Sequence, residues 1–571
     1  MRKIILFFVV VIVSLSSTAQ RIQREQFALS DVRLLPSRIR DNFKRDSMWM
    51  MSIPVHKLLH SFRNTSGTFS ALEGGYDAFP KLGGWESLDC DLRGHTTGHL
   101  MSALAFLYAQ TGSPVVKAKA DSIVDGLAEV QQMYDTGYLS AFGEGLINRN
   151  IQGKSVWAPW YTLHKIAQGL IDQYQFCHNA QAMVVVRGMM NWAYNKLKTL
   201  PEKARRLMLR NEFGGFNDAM LQLHSITNDD KALWLARFFY HNDKIDPFKN
   251  NDFDLGSGHA NTLIPKVLGE ARNYEMFGDE TSRRAAIGLF ETLAYKHAFV
   301  TGEVSDKEHL FKPETMHQHL TGYNGENCCT YNLLKLASHV YSWTGDTKVM
   351  DYYERALYNH ILGQQDPETG MVSYFTPLMT GAYRLYSTRD SSYWCCVGSG
   401  FESHVKYASN IYSHHGDTLF VNLFIPSQLN YENSTVTMTT AFPKSSRVLL
   451  TVSGEKHWKK IIFRNPAWAT AMKVRRNGNR YVVDFRMSDR YETVKGDSSR
   501  VALLRGPIVM AGVLGKVEEP FSNPKKHNDY YTFDYKVPEN IKRVFLKDMK
   551  KYEVKPFYDV HHARYAVYWE K

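Results

Sequence analysis

The chain from about residue 30 to 410 carries apolar residues at helical spacing. Side chains three and four positions apart lie on one face of an α-helix, so this pattern predicts helices that bury a face or are buried all round. The clearest stretches are residues 99–108, 163–174, 260–274 and 331–341. The pattern therefore predicts a large helical domain in this part of the chain.

A turn signal recurs where these helices are predicted to end. Gly or Asn tolerates the left-handed position after a helix, and a following Asp, Ser or Asn can cap the next helix. The signals are QTGS at 110–113, CHN at 177–179, ITND at 226–229, MFGD at 276–279 and WTGD at 343–346. Their spacing of 49 to 67 residues accommodates one helical hairpin each. Repeated hairpins favour a toroid of paired helices over a simple bundle, with a site in the central funnel.

The pattern changes after about residue 410. Short β-branched and aromatic runs alternate with turn signals, which is typical of antiparallel strands in a β-sandwich. The runs are 419–425, 435–440, 448–452, 460–463 and 501–510, the last interrupted by Gly506 and Pro507. Residues 523–529 are polar and predict a loop. The predicted architecture is mainly α, with domains at 20–410 (helical) and 411–571 (β-sandwich).

Composition supports a folded protein with a large core, since 44% of residues are hydrophobic and 13% aromatic. The formal net charge is +12, but the basic residues are scattered rather than clustered. Scattered charge indicates a solvated surface, so we do not expect a nucleic-acid partner.

The first residues predict export. Arg2 and Lys3 precede the apolar run 4–13, and Ser17 and Ala19 provide the small residues that a signal peptidase requires. We therefore predict a signal peptide at 1–19 and a periplasmic or secreted mature protein. The apolar run is too short for a membrane anchor, and no anchor is expected elsewhere.

Six cysteines are present, and four of them form two adjacent pairs. Neighbouring cysteines make only strained disulfides, because an ordinary bridge requires Cα atoms farther apart than one peptide unit. The segments are GENCC at 325–329 and YWCCVGSG at 393–400. Clustered thiols at two points of a long chain favour a metal site instead.

Glu326, Cys328, Cys395 and Cys396 supply one carboxylate and three thiols, a donor set that favours Zn2+. Closed sites rich in cysteine are usually structural. From spacing alone a structural zinc site and free buried thiols therefore both remain open. Cys329 is more typical of a small buried residue than of a fifth ligand.

The motifs around these thiols resemble those of the retaining β-L-arabinofuranosidases, glycoside hydrolase families 127 and 146, and the second more closely. KEHLF at 307–311 is similar to the Glu-His-Phe segment of these families, and a Glu-x-Cys motif, the helix TYNLLKL at 330–336 and WCCVGSG at 394–400 follow in the same order. Further matching motifs are GGWE at 83–86, LRGHTTGH at 92–99, WYTLHK at 160–165, EFGG at 212–215 and HANT at 259–262. The resemblance implies an (α/α)6 toroid as the catalytic domain.

The resemblance also implies roles. Cys395 matches the nucleophile and Glu308 the general acid/base, while Glu326, Cys328, Cys395 and Cys396 match the zinc ligands. A zinc-bound thiolate could attack the anomeric carbon, and two in-line displacements would retain configuration. The implied reaction is exo-acting release of β-linked L-arabinofuranose from plant glycans or glycoproteins through a cysteine thioglycoside.

Four further residues match motifs and are expected to bind substrate in the funnel: His95, His164, His259 and Tyr161. A histidine in a helical pattern is otherwise more often structural. His99 lies four residues after His95, but no acidic helix motif supports a second metal there.

The sequence departs from the family pattern at Cys329 and at Leu310, where an aromatic residue is usual, and its β region is shorter than in many relatives. Glu303 and Glu314 are therefore competing candidates for the acid/base. Three function classes remain: this enzyme or a glycosidase for another pentofuranoside, a non-catalytic glycan-binding toroid, and a metal-free glycosidase with two carboxylates. The exact glycan, the oligomeric state and carbohydrate binding by the β region are left open.

Overall fold

The structure is a computed structural model that describes residues 22–70, 82–455, 458–517 and 535–571. The predicted signal peptide and the predicted loop at 523–529 lie outside the described residues. The α-helices of the described part are numbered α1 to α17 in chain order: Arg38–Ser52, Val55–Ser66, His95–Thr111, Pro114–Gln132, Gly145–Ile151, Pro159–Cys177, Ala180–Leu197, Glu202–Leu209, Phe216–Thr227, Asp230–Phe238, Asn242–Lys249, Ala260–Phe277, Glu280–Glu291, Asn327–Thr344, Thr347–Ala356, Leu362–Gln364 and Cys395–His404. Two π-helical turns, Thr292–His297 and Leu357–Ile361, continue α13 and α15.

Six helices form a closed inner ring. In order around the ring they are α3, α6, α9, α12, α14 and α17, each packed on the next, and α17 packs back on α3. Each inner helix has an antiparallel partner outside it, and the outer helices are α4, α7, α10, α13, α15 and α1. The predicted (α/α)6 toroid is confirmed. It closes because α1, the first α-helix of the described residues, pairs with the last inner helix, α17.

All five turn signals end an inner helix as predicted. After α3, α12 and α14 a glycine takes the left-handed conformation, and after α6 and α9 His178 and Asn228 do so. The next residue then caps the outer helix in most cases. Asn179 and Asp229, for example, accept hydrogen bonds from backbone N–H groups at the starts of α7 and α10. Local turn chemistry therefore accounts for the hairpins of the ring.

The contact between α3 and α6 depends on glycine. A Cβ atom on Gly98 would lie 2.3 Å from the backbone carbonyl carbon of Lys165, and one on Gly169 would lie 2.5 Å from the carbonyl oxygen of Gly98. The two backbones are therefore in direct contact. This close approach brings the starts of α3 and α6, with their histidines and Tyr161, to the same side of the central funnel.

The β region contains strands that pair into three sheets. Strands β1 to β16 are Glu25–Gln26, Val32–Leu34, Tyr412–His415, Thr418–Val421, Ser427–Tyr431, Ser434–Thr440, Arg447–Gly454, Lys460–Phe463, Ala471–Asn477, Arg480–Arg486, Asp489–Val494, Asp497–Arg505, Ile508–Lys516, Glu553–Pro556, Ala563–Ala566 and Tyr568–Glu570. The sheets run β1-β3-β4-β8, β2-β5-β6-β7-β10-β9 and β11-β12-β13-β14, with β15 and β16 added on β13 and β12. The predicted antiparallel β-sandwich is confirmed, except that β4 and β8 pair in parallel.

The sheets pack against the toroid, and they include strands that precede the helical part in the sequence as well as strands that follow it. Strands β1 and β2, which precede the first helix, pair with β3 and β5. A continuous apolar core joins toroid residues such as Trp343 to sheet residues such as Leu450. A second core places Phe311 and Met316, from the segment after Glu308, against β12 and β13. The sheets therefore support a loop that reaches the central funnel. No helix of the described residues is long and apolar enough to cross a membrane.

Candidate active site and metal centre

The two cysteine pairs lie at the first turns of neighbouring inner helices. Glu326 is the residue immediately before α14 and Cys328 is its second residue. Cys395 and Cys396 are the first two residues of α17, which packs against α14. Backbone N–H groups at a helix N-terminus favour negative charge, so both positions suit thiolates. The six cysteines all lie in the described residues, and none forms a disulfide.

These residues converge on one point. One donor atom from each of Glu326, Cys328, Cys395 and Cys396 lies within 4.8 Å of all the others, and all four residues are buried. Sγ of Cys396 lies 3.5 Å from Sγ of Cys328 and 3.9 Å from Sγ of Cys395. The predicted ligand set is therefore assembled as a group that could hold a metal ion.

Electrostatics favour a cation at this group. Burial raises the pKa of Glu326, Cys395 and Cys396 well above their ordinary values. Burial also opposes ionisation of Cys328, but hydrogen bonds from the two other thiols and Ser399 bring its pKa well below the usual value. Negative charge concentrated among buried donors is costly without a counter-ion, and a divalent cation would remove that cost.

Cys329 is not part of the convergent donor set. Its thiol is fully buried and donates a hydrogen bond to Oε2 of Glu326 at 3.1 Å. This hydrogen bond therefore orients the Glu326 carboxylate. Ser399 acts similarly on the other side, with its hydroxyl 3.1 Å from Sγ of Cys328 and accepting from the Asn327 amide at 3.0 Å.

Glu308 lies on a constrained loop. Three residues of this loop that are not glycine, Ser305, Lys307 and Glu308, have positive φ values of 89°, 48° and 68°. Such backbone conformations cost free energy and cluster at functional sites, where surrounding contacts hold them. Here the carbonyl of Glu308 accepts from the Ala260 N–H at 2.8 Å, and the Phe311 ring stacks on His319 at 4.2 Å.

The Glu308 side chain faces the thiol group. Tyr374 donates a hydrogen bond from its hydroxyl to Oε1 of Glu308, and the Cys395 thiol donates to the same hydroxyl at 3.3 Å. On its other oxygen, Glu308 lies 3.5 Å from Nε2 of His259. The pattern of partners gives a continuous path of hydrogen bonds from Cys395 through Tyr374 to Glu308.

Glu303 and Glu314, the competing candidates, lie elsewhere. Glu303 is fully buried behind Gly325, and burial raises its pKa well above the ordinary value. Glu314 is exposed on the 3-10 helix Pro313–His319. Leu310 is buried, and its N–H donates to the Gly258 carbonyl at 2.9 Å. Of the three acidic residues, only Glu308 lines the cavity.

A cavity of about 180 Å³ opens above the thiol group. Its lining includes Cys395, Cys328, Glu326 and Glu308. The predicted substrate-binding residues His259 and Tyr161 also line it. Drug-sized ligands usually occupy pockets of about 300–1,000 Å³, so this volume suits one small ring.

A chain of hydrogen bonds from Glu402 through His99 orients the Tyr161 hydroxyl. Nδ1 of His99 bonds to the carboxylate of Glu402, and Nε2 lies 3.2 Å from the Tyr161 hydroxyl. Burial lowers the pKa of His99 to about 4, so its ring is neutral near pH 7. A neutral ring that donates from Nδ1 must accept at Nε2, so Tyr161 donates to His99. The lone pairs of the Tyr161 hydroxyl oxygen can then accept a hydrogen bond from a ligand in the cavity. Both nitrogens of His99 are therefore occupied by side chains.

His95 and His164 lie behind the cavity wall and are not part of its lining. Nδ1 of His95 lies 2.9 Å from Glu86, whose carboxylate also accepts from the N–H groups at the start of α3. Nδ1 of His164 accepts from the Gly215 N–H at 3.1 Å. Both rings bond to segments that form the cavity wall. Their contact with substrate stays a prediction, and their position behind the wall does not support it.

Several cavity residues were not identified from the sequence. Tyr374 belongs to the long non-helical segment between α16 and α17, where no helical or strand pattern singles out a residue. Trp157 precedes a recognised motif but has no periodic pattern of its own. Ser399 lies inside the WCCVGSG segment, where a match by motif assigns no role to the serine. Only the tertiary contacts identify these three.

Family comparisons agree with this geometry. Residues 31–409 match the model of the GH127 β-L-arabinofuranosidase catalytic domain. The chain belongs to this family. The GH127 assignment continues into the β region, where residues 418–502 match the model of the GH127 middle domain. The helical toroid therefore corresponds to the catalytic domain of a GH127 glycoside hydrolase, and residues 418–502, from β4 into β12, correspond to its middle domain.

Solved structures with the GH127 fold resemble the whole chain. Ara127N-Se, a GH127 β-L-arabinofuranosidase from Geobacillus stearothermophilus T6, is 15% identical with a TM-score of 0.68, and the match covers 94% of this chain and 99% of that protein. The GH127 β-arabinofuranosidase BT3674 is also 15% identical, with a TM-score of 0.69 over 96% and 98% of the two chains. A search of curated protein sequences finds no significant match. At these identities the structural likeness establishes the fold.

Proposed function

We propose that the protein is an exo-acting, retaining β-L-arabinofuranosidase in which Cys395 is the nucleophile and Glu308 the general acid/base. The observation that carries this proposal is the single cavity into which both side chains face, joined through the Tyr374 hydroxyl. A binding protein would need neither a thiol nor a carboxylate at these positions. The cavity accepts one ring, which favours removal of a terminal sugar.

The proposed metal is Zn2+, held by Glu326, Cys328, Cys395 and Cys396. Three soft sulfur donors and one carboxylate in a buried group fit zinc better than the harder cations Mg2+ or Ca2+. When bound, the ion would keep Cys395 ionised and lower the cost of collecting negative charge in a buried site.

The hydrogen-bond path accounts for the protonation states that the first step requires. Cys395 donates to Tyr374, and Tyr374 donates to Glu308. If a proton shift accompanies ionisation of Cys395 on metal binding, each proton moves one place along the path, which leaves Cys395 as a thiolate and Glu308 as a carboxylic acid. The nucleophile and the acid are thereby prepared together, with no net change of charge.

Glu308 then acts on the departing oxygen. The Cys395 sulfur attacks the anomeric carbon, the glycosidic bond breaks, and Glu308 gives its proton to the leaving oxygen. In the second step the Glu308 carboxylate takes a proton from water, which attacks the same carbon and releases the sugar from sulfur. Two inversions restore the original anomeric configuration.

His259 and Tyr161 are proposed to hold the sugar. Tyr161 offers acceptor lone pairs to a sugar hydroxyl, because its own proton is donated to His99. Nε2 of His259 lies 3.5 Å from Oε2 of Glu308, which places His259 beside the proposed acid/base. His95 and His164 are proposed to support the cavity wall.

The same proposal includes finer assignments that rest on sequence alone. These are membership of the related family 146, export to the periplasm or medium, a β-linked arabinofuranose glycan as substrate, and the domain boundaries 20–410 and 411–571.

A metal-free mechanism has one observation in its favour. Oxygen atoms of Glu308 and Glu326 also lie within 4.8 Å of each other, together with a nitrogen of His259. Retaining glycosidases that use two carboxylates place them about 5–5.5 Å apart. In that mechanism Glu326 would be the nucleophile.

The experiment is an assay of purified protein on 4-nitrophenyl β-L-arabinofuranoside, with zinc analysis before and after treatment with a chelator. We expect about one zinc per chain, activity that is lost with the metal and returns with it, and β-arabinofuranose as the first product by NMR. Mass spectrometry of a trapped intermediate should place the sugar on the peptide that contains Cys395. A sugar on Glu326, with activity that survives metal removal, would support the metal-free alternative. No hydrolysis of any pentofuranoside would support the binding protein.

A further inference from the structure

Trp157 stands at the mouth of the catalytic cavity with 47% of its surface exposed. Of the eleven tryptophans in the chain, all within the described residues, it is the only exposed one. Because this indole lines a sugar-sized cavity and is half exposed, it offers an aromatic face to a ligand.

The indole is held in place rather than loosely attached. The Trp85 ring meets it edge to face, with ring centroids 4.9 Å apart and an interplanar angle of 69°. The Asp91 carboxylate accepts from the backbone N–H of Trp157 at 3.0 Å, and the Asn211 side chain accepts from the backbone N–H of Ala158 at 3.0 Å. The two hydrogen bonds therefore hold the backbone at this position, and the Trp85 ring packs against the indole itself.

The backbone beside Trp157 is strained. Ala158 has φ 44° and ψ 50°, a left-handed conformation that is unfavourable for a residue with a Cβ atom. This residue immediately precedes the first turn of α6 and also lines the cavity. Strain of this kind persists where a side chain must be presented in a particular direction.

Among the residues that line the cavity, exposure increases from Cys395 through Glu308 to Trp157. Cys395 is 5% exposed, the Glu308 side chain 17%, and Trp157 47%. The leaving oxygen must meet Glu308, so the group attached to that oxygen lies outward, at the level of Trp157. An aromatic face attracts the polarised C–H groups of a sugar ring.

We propose that Trp157 is the platform on which the leaving-group ring of the substrate stacks, and that the natural leaving group is therefore a cyclic sugar. This inference rests on the proposed function of Cys395 and Glu308. It adds a second binding position to the cavity and predicts a preference for glycosides whose leaving group carries a ring.

The test compares Trp157→Ala, Trp157→Phe and wild type on two substrates, a β-L-arabinofuranosyl disaccharide and methyl β-L-arabinofuranoside. The methyl group is too small to stack. Loss of an aromatic contact predicts a rise of about tenfold in the KM of Trp157→Ala for the disaccharide, with the methyl glycoside unchanged. Trp157→Phe should keep most of the disaccharide affinity. Tyr491→Ala, which removes an aromatic residue that is 53% exposed on β11, is the matched control and should affect neither substrate.

The outcomes are distinct. A Trp157→Ala protein with unchanged KM for the disaccharide, or with equal losses on both substrates while Trp157→Phe and the thermal unfolding midpoint stay normal, would overturn the platform and leave the proposed function intact. A wild-type protein that hydrolyses neither substrate would overturn the proposed function, and the platform with it.

Discussion

The hydroxyl of Tyr374 lies 3.3 Å from Sγ of Cys395. The same hydroxyl bonds to Glu308, so a single phenol spans the proposed nucleophile and the proposed acid/base. Cys395 and Glu308 come from distant parts of the chain, and the Tyr374 hydroxyl bonds to both. Their protonation is therefore coupled through a residue that performs no covalent chemistry.

Tyr374→Phe should separate the two groups without changing the shape of the cavity. Loss of a hydrogen bond to a charged partner costs about 1.5–3 kcal/mol, which predicts a fall in kcat of about 10- to 100-fold with little change in KM. The pH profile of kcat should also change, since Glu308 loses the donor that favours its charged form. Steady-state kinetics between pH 4 and 9 measure both effects. A Tyr374→Phe protein with a wild-type profile would show that the hydrogen-bond path is not used.

Cys395→Ser and Cys396→Ser should inactivate the enzyme for different reasons. Cys395→Ser keeps three of the four proposed ligands and should retain some zinc, but serine is a poor nucleophile without a base. Cys396→Ser should lose activity chiefly through loss of metal, and added zinc should restore part of it. Metal content and activity measured on the same samples distinguish the two. Full rescue of Cys395→Ser by zinc would contradict the assignment of the nucleophile.

Glu308→Gln should show an effect that depends on the leaving group. Hydrolysis of a disaccharide, which requires protonation of the leaving oxygen, should fall by about 10²–10⁴-fold. A 4-nitrophenyl glycoside should still react once with Cys395 and give a burst, because the second step lacks its base. Azide, which needs no base, should restore turnover.

Glu314→Gln is the control for this experiment, because Glu314 is exposed a few residues along the same segment. It should behave as wild type. Near-normal hydrolysis of the disaccharide by Glu308→Gln would show that another carboxylate is the acid.

Cys329→Ala should weaken metal binding although Cys329 is not a proposed ligand. The variant removes the donor to Oε2 of Glu326, and loss of a group that orients a ligand costs about 10- to 100-fold in metal affinity. Cys329→Ser keeps a donor and should retain most of the affinity. Cys177→Ala, at a buried cysteine at the end of α6, is the control for loss of a buried thiol. Competition with a chelator measures the affinity, and equal affinities of all three variants would show that the Cys329 contact is unimportant.

Much of the toroid was predictable because its hairpins depend on neighbouring residues. Gly112 and Asn228 end helices through a backbone conformation that their own residue types favour, and Asp229 caps the helix that follows. The helix pair that closes the ring was not predictable from the local pattern. Closure requires α1 to pack on α17, more than 300 residues later, and no local pattern encodes that contact. The addition of β1 and β2 to sheets formed mainly by the C-terminal part is non-local in the same way.

The candidate site likewise includes residues whose place the motifs predicted and residues whose place they did not. Glu326, Cys328, Cys395 and Cys396 were recognisable because reactive residue types occur in short motifs, and the structure brings all four together. His95 matched a motif equally well, yet its ring bonds to Glu86 behind the cavity wall. A motif records which residues accompany one another and does not record the direction in which a side chain points.

By itself the sequence determined the helical hairpins, the change to strands after residue 410 and the residue types of the metal-binding group. These follow from periodicity, turn chemistry and donor chemistry, which act over a few residues. The tertiary structure alone decided that Tyr374 joins Cys395 to Glu308, that Cys329 supports Glu326 and that Trp157 stands at the cavity mouth. Each of these relationships depends on where distant segments meet when the ring closes and the apolar core packs, and such distances are set by the whole fold.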